Sequence, residues 1–114
     1  MTDDFVDDLP NSIYMTLRTT LSPMRIVKLF TSQGWSWRHC AWDEYEITFD
    51  NIAELVVASQ DLILISGGVA TDSNAIEQIE KILDGGGVDF DFELYDRNNT
   101  TIRSRPNPTQ SRNA

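Results

Sequence analysis

Residues 88–94 read V-D-F-D-F-E-L, and no other feature restricts the fold of this chain so tightly. Side chains of an extended strand alternate between two sides. Val88, Phe90, Phe92 and Leu94 therefore share one side, and Asp89, Asp91 and Glu93 the other. A helix would scatter the four apolar residues around its circumference. The segment predicts a strand of a half-buried sheet, dry on one face and wet on the other. Such sheets are antiparallel in the common case.

The same period recurs. Residues 12–19 put Ile13, Met15 and Leu17 opposite Tyr14, Thr16 and Arg18, and residues 44–49 put Tyr45, Ile47 and Phe49 opposite Glu44, Glu46 and Thr48. Residues 61–66 form an apolar run of strand length, expected at the centre of the sheet with both faces covered and ended by Gly67-Gly68. Asn98-Asn99 suits a hairpin turn because Asn tolerates positive φ, and residues 100–103 would return from it. Two segments have helical spacing instead. Ser22-Pro23 supplies an N-cap hydroxyl and a proline at the first helical position. Met24, Ile26, Val27 and Phe30 make the stripe, and Gly34 the stop. Asp72-Ser73-Asn74 precedes a second stripe, Ile76, Ile79, Ile82 and Leu83, with Asn74 and Glu77 spaced as a capping box and Gly85-Gly86-Gly87 at the end. Residues 35–42 give no clear element. Residues 51–60 fit two: Ile52, Leu55 and Val56 have helical spacing, while Leu55-Val56-Val57 suits a strand.

The expected order is β-α-β-(x)-β-α-β-β. It predicts an α+β two-layer sandwich, a mostly antiparallel sheet with two helices on one face. The first topology is the ferredoxin-like split β-α-β, a resemblance of architecture that transfers no function. The expected organisation is an acidic N-terminal arm over 1–10, a single α+β domain over 11–104 and a flexible C-terminal tail over 105–114. A chain of 114 residues buries enough surface to fold without a disulfide, and the single Cys40 cannot form an internal one. Met1-Thr2-Asp3-Asp4 is acidic where a secretion signal is basic, and the longest apolar run, 62–65, is far too short to span a bilayer. The expectation is a soluble cytoplasmic protein.

Charge is unevenly placed. Residues 43–96 hold fourteen acids and one base, Lys81, whereas residues 9–42 hold four bases and no acid. The net charge of −9 argues against nucleic acid, whose phosphates need clustered Lys and Arg, and against anionic membranes. It favours a basic protein partner.

No motif identifies an activity. The Asp89-x-Asp91-x-Glu93 run departs from a calcium loop, because Leu94 stands where the turn glycine is needed and the phenylalanines demand a strand. His39 and Cys40 lack a third orienting group for nucleophilic catalysis and fall short of the four ligands of a zinc site. Ser66-Gly67-Gly68 lacks the spacing of a phosphate loop. No cofactor or metal is expected. Trp35, Trp37 and Trp42 lie within eight residues; one reading has some of them cap the core beside the first helix, and the competing one makes the cluster an interaction surface, where Trp and Arg are enriched.

The candidate partner-binding residues are therefore Asp89, Asp91, Glu93, Glu44, Glu46, Trp37, Arg38 and Trp42. The function they suggest is a non-enzymatic acidic protein-binding module, in its sharpest form an inhibitor or immunity protein blocking a basic partner such as a nuclease toxin, with carboxylates standing in for phosphates. The alternative is a homodimeric small-molecule-binding or regulatory domain that uses the open sheet face, with Tyr14, Trp37 and Trp42 between subunits.

Overall fold

A computed structural model describes residues 10–50, 52–59, 61–70 and 74–105. The expected acidic arm, apart from Pro10, and the expected tail after Arg105 lie outside the described residues, as do Asp72 and Ser73. The elements are β1 (Asn11–Arg18), α1 (Pro23–Thr31), β2 (Ser36–Ala41), β3 (Glu44–Phe49), β4 (Ala53–Ser59), β5 (Ile63–Val69), α2 (Ala75–Gly85), β6 (Asp89–Tyr95) and β7 (Thr101–Arg105). Both segments without a single reading, 35–42 and 51–60, contain strands.

The seven strands form one sheet in the order β2-β3-β4-β5-β1-β6-β7, and every pair is antiparallel. The α+β class holds, with seven antiparallel strands and two helices. The ferredoxin-like topology does not. After α1 the chain does not return beside β1. It runs out to the far edge as β2 and comes back through three short-turned hairpins until β5 pairs with β1. Short connections allow only antiparallel neighbours, so the two extra strands turn the expected split β-α-β into a meander closed on β1.

Both helices pack on one face. Ile26, Val27 and Phe30 of α1 and Ala75, Ile76, Ile79 and Leu83 of α2 are buried. They meet Ile13, Met15 and Leu17 of β1 and Phe90, Phe92 and Leu94 of β6, the residues that alternation assigned inward. Among the described residues every buried side chain is apolar. At the start of α1 the Ser22 hydroxyl accepts from the Arg25 N–H at 3.3 Å, with Pro23 behind it. The helix ends at Thr31, and Gly34 (φ 95°) makes the turn beyond it. Asn74 holds the N-cap position of α2 but caps nothing; its side-chain oxygen accepts from Gln78 Nε2 at 2.9 Å.

Three further expectations need correction. Strand β5 does not end at the glycines but continues through Gly67 and Gly68 to Val69. A Cβ on Gly67 would lie 2.1 Å from the Glu54 carbonyl oxygen and 2.8 Å from Leu55 Cα, so glycine here admits close approach of β4 rather than stopping the strand. β5 is central but covered on one face only, since Ile63, Ile65 and Val69 are buried while Leu64 and Ser66 are half-exposed. Arg105 is the last residue of β7, not the start of a tail. Among the described residues no helix is long and apolar enough to cross a membrane.

Candidate functional site: the open face of the sheet

Residues directly opposite one another on neighbouring strands share a face, so the registers give each face as rows running across all seven strands. On the face away from the helices one row is Arg38, Glu46, Val56, Ser66, Tyr14, Glu93 and Ser104. A neighbouring row brings Glu44, Ala58, Leu64, Thr16 and Asp91 into line. The middle of this open face is small, apolar or hydroxylic. Tyr14 stands highest in it, 56 % exposed, with its ring edge-on to Tyr95 at 5.9 Å between centroids. Tyr14, Thr16, Leu64, Ser66, Asp91 and Glu93 line a shallow concavity there.

Carboxylates flank this strip in two banks. Glu44 and Glu46 of β3 and Glu54 of β4 make one; Asp89, Asp91 and Glu93 of β6 make the other. From β3 to β6 is four strand spacings, roughly 19 Å. Six of the eight candidate residues from the sequence (Asp89, Asp91, Glu93, Glu44, Glu46 and Arg38) thus share one face, in two groups rather than one.

Two arginines reduce the charge of this face. Arg18 Nη1 donates to Asp91 Oδ2 at 2.6 Å, and Arg38 Nε donates to Glu46 Oε1 at 2.5 Å. The bond to Glu46 holds the Arg38 guanidinium above its ordinary pKa. Glu93 accepts from the Tyr95 hydroxyl at 2.5 Å, and that bond raises the Tyr95 phenol above its ordinary value. Glu44, Glu54 and Asp89 have no ion-pair partner among the described residues. The face carries six carboxylates against two arginines.

The helix-covered side is balanced differently. Glu77, Glu80 and Asp84 form a stripe along α2, spaced i, i+3, i+7. Arg103 of β7 donates to Glu77 at 3.0 Å and to Glu80 at 2.7 Å, and Arg105 donates to both Asp84 oxygens at 3.0 and 3.2 Å. Arg105 also lies 4.1 Å above the Phe90 ring centroid. Asp84 chiefly holds the Arg105 guanidinium above its ordinary pKa. Glu77 is held below the usual carboxylate range, first by its own backbone N–H and then by Arg103. These three acids are spoken for within the chain.

The tryptophans separate. Trp35 is buried, edge-on to Phe30 at 5.0 Å and stacked on Phe49 at 5.3 Å, and its indole N–H finds no partner among the described residues. It caps the core beside the first helix, as the sequence suggested for part of this cluster. Trp37 lies opposite Ile47, on the helix side and not with Arg38, but it is 46 % exposed. Its ring leans on Tyr45 at 5.9 Å, and His39 stacks on Tyr45 at 5.1 Å. Trp42 is 87 % exposed in the β2–β3 turn, where Asp43 takes a left-handed φ of 62° that Asp tolerates. Cys40 is exposed, beside the register shift between His39 and Ala41. Among the described residues no three His, Cys, Asp or Glu side chains converge as a metal site.

Sequence reasoning placed Tyr14 on the open face only as part of a dimer contact, and it missed Glu54 as a member of the first bank and Arg18 as the partner of Asp91. Glu54 could have been found only by recognising β4 as a strand. No protein-family model, no curated protein and no solved structure matches this chain.

Proposed function

We propose that this protein is a non-enzymatic binding module whose open sheet face docks a basic protein, and that it acts as an inhibitor of that partner. One observation carries the reading: the face that no described element covers holds six carboxylates against two arginines. The carboxylates of α2 are matched by Arg103 and Arg105, whereas Glu44, Glu54 and Asp89 are left to an outside cation. Tyr14 offers an exposed ring between the two banks, a surface on which a Lys or Arg stem can lie. Two banks of like charge about 19 Å apart suit a broad protein surface better than a small ion. A nuclease is the sharpest candidate, because its phosphate-binding surface is already basic. The same charges oppose pairing of two copies through this face, since carboxylates would meet carboxylates.

The test uses capture from native lysate at low salt, comparing the wild-type chain with a variant carrying Glu44→Lys, Glu54→Lys, Asp89→Lys and Glu93→Lys. All four residues are on the open face, so circular dichroism should be unchanged. The expected outcome is one basic protein held by the wild type, released by salt and lost by the variant, with the change concentrated in the association rate. Equal capture by both chains would sink the reading.

A further inference from the structure

The β2 edge carries a second surface, independent of the acidic face. All six residues of β2 are exposed, and among the described residues its outer side has no neighbouring strand. Open edges are normally blunted by charge, proline or shortness. At the opposite edge β7 has five residues, two of them arginine, and Pro106 follows. β2 has one charged residue on its regular part, Arg38, and Glu46 holds that side chain inward over β3. It carries no carboxylate, so it is where two copies of this acidic chain can approach without opposing their acids.

We infer that β2 pairs antiparallel with β2 of a second copy, about a two-fold axis through Trp37. Alternation fixes the register. A two-fold perpendicular to the sheet keeps helix-side residues opposite helix-side residues, so it must pass beside one residue and its copy. Centred on Arg38, it would set two guanidiniums directly opposite, which is unfavourable. Centred on His39, it would draw in Cys40, where the strand is irregular. Centred on Trp37, it sets indole against indole and places each Arg38 across from Ser36 of the second copy. The half-exposed aromatic surface of Trp37, Tyr45 and His39 then continues into its copy. The two sheets become one, with both acidic faces on the same side and still open.

Sedimentation velocity on the full chain, from micromolar to millimolar, reads the association. The expected result is a reversible monomer–dimer equilibrium that Trp37→Lys shifts wholly to monomer with unchanged circular dichroism. The register is read by mixing two chains, Ser36→Cys and Arg38→Cys, each also carrying Cys40→Ser. Directly opposite residues have Cα atoms about 4.5–5.5 Å apart, within disulfide reach. Mild oxidation should cross-link the mixture and neither chain alone. A wild type that stays monomeric at every concentration, a dimer that survives Trp37→Lys, or self-cross-linking by either single chain would each overturn the inference. None of these outcomes bears on the acidic face, whose carboxylates all these variants retain.

Discussion

The two edges of the sheet end the same helix-side rows in opposite ways. One row runs Trp37, Ile47, Leu55, Gly67, Ile13, Leu94, Arg103, and the next runs His39, Tyr45, Val57, Ile65, Met15, Phe92, Arg105. At the β7 end the arginines rise to three carboxylates of α2 and close the layer. At the β2 end α1 covers Trp35 through Phe30, and beyond it Trp37 and His39 lean on the half-buried Tyr45 and stay exposed. An edge is therefore finished by what stands above it. The cationic end has a partner supplied from within the chain, and among the described residues the aromatic end has none.

Three substitutions and one change of condition probe that contrast. The largest effect falls where the two halves of the rows join. Gly67→Ala drives a methyl group into the Glu54 carbonyl and must push β4 from β5, so the β2–β4 side should detach from β5. The expected loss is about 3 kcal/mol or more, measured by urea unfolding. A variant as stable as the wild type would mean that the two halves are not held through this approach.

Next come the ends themselves, compared in parallel. Arg105→Ala removes the pair with Asp84 and the cover over Phe90, and should cost about 1 kcal/mol, part of it lost in high salt. Trp37→Ala, on the uncovered edge, should change monomer stability by less than about 0.5 kcal/mol. The reverse ranking would show β2 to be the better anchored edge.

The smallest effect is with pH. Glu77 is held below the usual carboxylate range in the folded chain. Its contribution is thus present above the ordinary carboxylate pKa and is lost as pH falls through the depressed value. Arg103 then loses one of its two partners. Amide exchange by NMR, from neutral pH down through the carboxylate range, should show β7 loosening before β4 and β5. Loss of protection in the central strands first would break the comparison.

Much of this fold is legible in short stretches of sequence. The Ser22-Pro23 start of α1 is local chemistry, and the alternation of β1, β3 and β6 needs only a dry side and a wet side. β2 escaped because it is exposed at every residue, so burial leaves no period in it. β4 escaped for another reason: Val56 on the open face is as apolar as Leu55 and Val57 on the buried one, which hides the alternation. Arg105 resembles a tail residue beside Pro106 and Pro108 until α2, twenty-one positions earlier, supplies Asp84. For the candidate site, alternation alone placed the carboxylates of β3 and β6 outward. Their division into two banks depends on the order of the strands, and the neutralising roles of Arg18 and Arg38 on which strands are adjacent.

The sequence by itself determined that a one-sided sheet would form under two amphipathic helices, because periods of two and of 3.6 are written into neighbouring residues. Only the tertiary structure decided that β5 returns to β1, which acids find arginines, and which edge is left uncovered. Those outcomes join residues tens of positions apart. They follow from which turns are short enough to force antiparallel neighbours and from which helix ends above which strand.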